Sequence, residues 1–248
     1  MSTMRADLIQ AAYDAGRYDE ALRLILAAFE LAASDEGESK LDFIVMYTWQ
    51  LMLNEGYAPA REAMIRVRDA QRARLLAGEL TFGAEDQVWP RSRFQVILDM
   101  NEKLNDSRSS YDTFKQLLAI APDVAGMYAF SVLPAIVEVA DYALAERYLA
   151  DPLTELDRLN QLAHEFSLYP PRGQAPRMWA ELFNFVRRVT LLMAVHRGLG
   201  RDTEAVALRD AALAGLGNEE LRAMAQREMD EPGLMNREIG EYLAKSEA

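Results

Sequence analysis

Residues 14–22 read Asp-Ala-Gly-Arg-Tyr-Asp-Glu-Ala-Leu, and this stretch decides the fold. It lies between two helical patterns. In LIQAAYDA (8–15) and again in EALRLILAAFELA (20–32), apolar residues recur in steps of three and four. A glycine inside a helix costs about 1 kcal/mol relative to alanine. Gly16 therefore reads as the end of a first helix, in the left-handed conformation that glycine reaches freely. Tyr18 closes the turn. Ala21, with only a methyl group, lets a second helix approach the first closely. The pattern is that of an αα-hairpin.

Similar breaks follow along the chain. They fall at 34–39, Glu55-Gly56, from Ala77-Gly78 through TFGAEDQVWP, 105–107, Ala121-Pro122, Ala140-Asp141, Asp151-Pro152, 169–176, 198–200, 215–218 and Glu231-Pro-Gly233. Asp151 can cap a helix whose first position is Pro152, where the missing N–H costs nothing. Asn218 can cap the next, with Glu219 and Glu220 favourably placed at its positive end. No alternating strand with a hairpin signal stands out. The expectation is an all-α chain of antiparallel helix hairpins with about twelve or thirteen helices. It forms one domain, 1–248, with hairpins at roughly 3–33, 40–77, 90–121, 124–150 and 176–215 and capping helices over 218–246.

Composition narrows the chemistry. The 248 residues are 50% hydrophobic and 27% charged, which is ordinary for a folded chain and too apolar for disorder. The net charge of −12 disfavours nucleic acid and favours basic partners. No cysteine is present, so disulfides, cysteine nucleophiles and thiolate metal sites are excluded. The opening MSTMRADLIQ lacks the apolar run of a signal peptide, and no stretch approaches the ~18–20 apolar residues of a membrane span. A cytoplasmic location with no membrane association is expected.

The hairpins resemble the tetratricopeptide repeat (TPR) family, a helix–turn–helix unit of about 34 residues. The first unit matches through Gly16, Tyr18, Ala21, Ile25 and Ala28. The second offers Ala60, Met64 and Val67, and the third Ser110, Phe114, Leu117 and Pro122. The fourth offers Tyr142, Ala145 and Leu149, and the fifth Gly200, Asp202, Ala205 and Ala212, with Arg209 where an apolar residue belongs. The small residues 21, 60, 110, 145 and 205 are 39, 50, 35 and 60 apart, so the repeats are degenerate, with an extra helix between the fourth and fifth. The resemblance implies a TPR-like α-solenoid whose first helices line a concave groove for a peptide or protein segment. Carried onto this sequence, the groove candidates are Tyr13, Trp49, Met52, Gln95, Asp99, Lys103, Phe130, Arg187 and Arg197. Gln10, Asp14, Glu102, Met127, Glu138 and Thr190 fall in the same register.

No familiar catalytic motif stands in the sequence. The chain has no phosphate-binding loop, no nucleophile elbow and no H-E-x-x-H, and its two histidines, His164 and His196, lack metal-binding spacing. No cofactor is expected. Paired carboxylates such as Asp19-Glu20 sit at helix starts, where the dipole explains them. One helix, 61–76, carries five arginines against two acids, and Arg61, Arg68 and Arg72 fall within a stripe of about 40°. That stripe reads either as a secondary docking strip for an acidic group or as a solvated face balanced by Glu62 and Asp69. The connector YPPRGQAPRMW (169–179) reads either as an interface loop or as a stiff link anchored by its aromatic ends.

The functional expectation is a non-catalytic module that binds a protein or peptide. Alternatives are a sensor of a small ligand or peptide, an acidic inhibitor or immunity protein for a basic partner, and, last, an all-α enzyme. The final segment, MNREIGEYLAKSEA, is amphipathic and suits either a cap on the last hairpin or contact with a second subunit.

Overall fold

The computed structural model describes residues 2–34, 43–83 and 91–247. The breaks expected at 34–39 and through TFGAEDQVWP lie for the most part outside these residues. The described chain holds thirteen α-helices. They are α1 (Ser2–Asp14), α2 (Tyr18–Ala33), α3 (Phe43–Asn54), α4 (Ala58–Leu76), α5 (Arg93–Leu104), α6 (Ser107–Ile120) and α7 (Pro122–Glu138). Then come α8 (Tyr142–Glu146), α9 (Leu156–Glu165), α10 (Arg177–Gly198), α11 (Asp202–Gly215), α12 (Glu219–Asp230) and α13 (Leu234–Glu247). A 3₁₀ turn, Pro152–Glu155, precedes α9. One short antiparallel ladder interrupts the helices: β1 (Thr81–Phe82) pairs with β2 (Arg91–Ser92). It is too brief to show alternation in sequence.

One turn geometry recurs after six of the described helices, among them α4, where Gly78 (φ 98°) donates to Leu75 and Glu79 donates to Arg74. A left-handed residue donates its N–H three residues back, and the next residue donates five back, which satisfies carbonyls the helix end leaves free. After α1, Gly16 (φ 70°) donates to Tyr13 and Arg17 donates to Ala12. After α3, Gly56 (φ 73°) reaches Leu53, and Tyr57 reaches Met52. After α5 the left-handed residue is Asn105, after α7 it is Ala140, and after α10 it is Gly200, each with the same pair of hydrogen bonds. Ala21, Ser110, Ala145 and Ala205 each follow the left-handed residue by five positions, and Ala60 by four; all are buried. The small residue lets the second helix of each pair close on the first.

The chain divides into two compact units, 1–135 and 136–248, and the division falls in α7 between Ala135 and Ile136, one residue past Pro134. In the first unit α1 packs on α2 and α3, α2 on α3, α3 on α4, α4 on α5 and α6, and α5 on α6. Its core includes Ile9, Ala12, Ile25, Phe29, Trp49, Met52, Met64, Val96 and Met100. Phe29 meets Trp49 and Phe82 edge-on, with ring centroids 6.2 and 5.2 Å apart. The β-ladder is tied in by Arg93. Its guanidinium donates to the carbonyls of Glu79 and Thr81 and to Gln71, and sits 5.9 Å from the Phe82 ring centroid.

In the second unit α10 is the hub. It packs on α8, α9, the 3₁₀ turn, α11 and α12, while α13 rests on α12. The expected caps are present: Asp151 accepts from Leu153 N, and Asn218 accepts from Glu220 N and Leu221 N. The extra helix expected between the fourth and fifth hairpins is α9. Buried Glu228 caps the start of α13 by accepting from Gly233 N (2.8 Å) and Met235 N (2.7 Å). Of the two readings of connector 169–179, the anchored link is the one observed. Trp179 and Met178 are buried, and the Tyr169 ring packs against Trp179 and Tyr242. The Tyr242 hydroxyl donates to the Pro170 carbonyl.

Candidate interaction face

Helices α1, α3 and α5 each bury one side in the core of the first unit. Their other sides carry polar residues at helical spacing: Asp7, Gln10 and Asp14 on α1; Tyr47, Gln50 and Asn54 on α3; Gln95, Asp99, Glu102 and Lys103 on α5. Cross-helix hydrogen bonds link the three helices, one from buried Thr48 beneath the stripes and one between stripe residues. Thr48 Oγ1 donates to Gln10 Oε1 (3.3 Å), linking α3 to α1. Lys103 Nζ donates to Gln50 Oε1 (2.8 Å), linking α5 to α3. Within α1, Gln10 Nε2 donates to Asp14 (2.8 Å). Within α5, Gln95 Nε2 donates to Asp99 Oδ1 (2.9 Å), and Arg91 pairs with the other oxygen of Asp99. The polar sides of α1, α3 and α5 are thus tied together by one buried and one part-exposed bond.

Its α1–α3 end is aromatic. Tyr13 stacks on Tyr18 at 5.6 Å and 28°, and Tyr18 meets Tyr57 at 5.4 Å. The Tyr57 hydroxyl donates to Asp19, and that bond holds its proton above the usual phenol range. Desolvation, followed by the carboxylate of Glu55, pushes the Tyr13 hydroxyl up as well, with Tyr18, Asp14 and Tyr47 adding to it. Tyr47 is 45% exposed.

The residues expected from sequence fare differently. Tyr13, Gln95, Asp99 and Lys103 lie on this surface. Trp49 and Met52 do not: both are wholly buried, and Trp49 Nε1 donates to the Ala60 carbonyl at 2.9 Å. They face α4 and the core, because α3 (FIVMYTWQLMLN) is apolar on nearly every side and its sequence does not declare which side is wet. Phe130 is 43% exposed on α7, beside Met127 at 70%. Arg187 and Arg197 are exposed on α10 of the second unit.

The arginine stripe of α4 is solvated in part: Arg61 is exposed and Arg68 pairs with Asp69, but Arg68 itself is buried, and all three side chains also reach α5, the turn after it or α6. Arg61 donates to the Leu104 carbonyl (3.2 Å), and Arg72 donates to Gln116 (3.1 Å). Arg68 is only 7% exposed. Its guanidinium donates to Asn101 (2.7 Å), Asp106 (2.8 Å) and Asp69 (2.6 Å). Burial alone would raise the Asp106 carboxyl, but bonds from the Ser109 hydroxyl, Arg68 and the Ser109 N–H outweigh it and hold the group below its ordinary value.

Sequence reading missed Gln50, Tyr47 and the Tyr18–Tyr57 pair. The pair had a signal: a tyrosine follows each turn glycine closely, in Gly16-Arg-Tyr18 and Gly56-Tyr57. Among the described residues no group of three or more His, Asp or Glu side chains is placed to hold a metal ion, and no helix is long and apolar enough to cross a membrane. No protein-family model, no curated protein and no solved structure matches the chain.

Proposed function

We propose that this protein is a non-catalytic, TPR-like interaction module that binds a protein segment on the polar surface of α1, α3 and α5. The observation that carries the reading is the pair of cross-helix bonds, Thr48–Gln10 and Lys103–Gln50. They link α1 to α3 and α3 to α5, which supports taking the polar sides of these three helices as one surface. Polar side chains that are already braced lose little rotamer freedom when a partner arrives, which lowers the cost of association. The exposed ring of Tyr47 supplies the kind of side chain that anchors interfaces.

The test compares three purified proteins: wild type, a face variant (Tyr47→Ala/Gln95→Ala), and a variant elsewhere in the first unit (Met127→Ser/Phe130→Ser). Each is checked for unchanged melting and used to capture partners from native lysate. The expected outcome is a protein retained by wild type and by the α7 variant and lost by the face variant. A partner lost only by the α7 variant would refute the assignment of the face.

A further inference from the structure

The cations of this surface are engaged, whereas of its carboxylates only Asp99 is paired with a cation among the described residues. Arg91 is neutralised by Asp99, and Lys103 is directed onto Gln50. Arg17, near the aromatic end, pairs with Glu20 at 3.4 Å, and Arg61 is directed onto the Leu104 carbonyl. By contrast, among the described residues no cation pairs with Asp7, Glu55 or Glu102, and Asp14 accepts from neutral Gln10. The local backbone adds to this imbalance. Asp14 is the last residue of α1, and Glu55 directly follows the last residue of α3. These are the negative ends of two helix dipoles, where a cation is the stabilising residue. Neither helix has a basic residue in its last turn, whereas α5 ends with Lys103. Helix α1 packs on α3 here, and Tyr13 lies within electrostatic reach of Asp14, Glu55 and the more exposed Tyr47.

From this charge balance we infer that the segment bound by the α1–α3–α5 surface is basic, and that an arginine or lysine side chain of it seats against Tyr13 and Tyr47, between Asp14 and Glu55. This rests on the proposed binding face and adds the chemistry of its occupant. A guanidinium there gains two carboxylates, two helix C-termini and the negative ring faces of tyrosine, which attract cations. An acidic or purely apolar segment gains none of these.

The test uses the full chain, labelled with ¹⁵N, titrated with two blocked octapeptides, one of alternating arginine and serine and one of alternating glutamate and serine. Two charge-matched variants are compared: Asp14→Asn/Glu55→Gln at the proposed seat, and Glu204→Gln/Asp210→Asn on α11. The expected result is amide shifts centred on residues 10–18 and 47–57 with the arginine peptide alone. Affinity should fall about three- to tenfold in the seat variant, as two partly exposed ion pairs dictate, and be unchanged in the α11 variant. Equal loss in both variants, or shifts scattered over the acidic surface, would overturn the inference and leave only net-charge attraction. The two proposals fail separately. A captured partner that depends on Tyr47 and Gln95 but is indifferent to Asp14→Asn/Glu55→Gln and to salt keeps the face and refutes the basic occupant.

Discussion

Replacing Arg68 with methionine separates an interhelical rung from a solvated charge. Methionine keeps most of the aliphatic stem, so the change removes the guanidinium and little packing. Three acceptors lose their donor. Asp69 is 56% exposed and rehydrates at small cost. Asp106 is 33% exposed and keeps its bonds from Ser109, so its loss is partial. Asn101 is 1% exposed, and its oxygen is left unpaired in the core, which costs about 1–3 kcal/mol. With a partial loss at Asp106, destabilisation of about 2–4 kcal/mol is expected, below the range for breaking a fully buried pair. For a chain of this size that lowers the melting temperature by roughly 4–15 °C.

Urea and thermal unfolding followed by circular dichroism would measure it, and a double-mutant cycle with Asp106→Asn should return a coupling of about 1 kcal/mol or more. The pH dependence has a defined sign. The folded-state pKa of Asp106 is depressed, so its contribution is full above the unfolded value and is lost as pH falls through the folded one. The gap between wild type and Arg68→Met should therefore be flat from neutral pH down to about pH 5 and narrow below about pH 4. A destabilisation under about 0.5 kcal/mol at neutral pH, typical of a surface substitution, would refute the assignment of Arg68 to the interior.

Three further outcomes follow from single contacts. Trp49→Ala should cost about 3–5 kcal/mol by cavity formation and loss of the bond to Ala60, read as a lowered urea midpoint; a neutral change would return Trp49 to the surface. Glu228→Ala leaves Gly233 N and Met235 N without their acceptor, so amides at the start of α13 should exchange faster and stability should drop by about 1–3 kcal/mol. Glu228→Gln should recover part of that loss. Gly198→Ala drives a methyl into the Tyr142 ring, and a melting loss equivalent to about 1–3 kcal/mol is expected, relieved when Tyr142→Ala is added.

The helical content and most hairpin boundaries were legible because the punctuation is local. Gly16, Gly56 and Gly200 stand where only a left-handed residue ends the helix, and a small residue follows at nearly fixed distance. Asn105 and Ala140 make the same turn, but neither names its conformation as glycine does. Asn105 enters the left-handed region as asparagine can, whereas Ala140 is held there by its turn, with Asp141 capping α8 behind it. The proposed face was half legible. Gln95, Asp99 and Lys103 lie four residues apart on a helix whose opposite side is plainly apolar, so their side of α5 could be assigned from spacing. Helix α3 offers no such contrast, so the register carried over from the repeat resemblance puts Trp49 and Met52 on the wet side with nothing in the sequence to oppose it. Arg68 was misplaced for another reason. A stripe of like charge describes one helix, and Asn101 and Asp106, the acceptors that bury it, come from α5 and the turn that follows.

The most direct measurement of the central claim is amide hydrogen exchange on the complex with a captured partner, compared with the free chain. Slowed exchange confined to the first unit, at 7–18, 47–57 and 95–103, is the predicted footprint. Protection confined to α10–α13, with these three stretches unchanged, would contradict it.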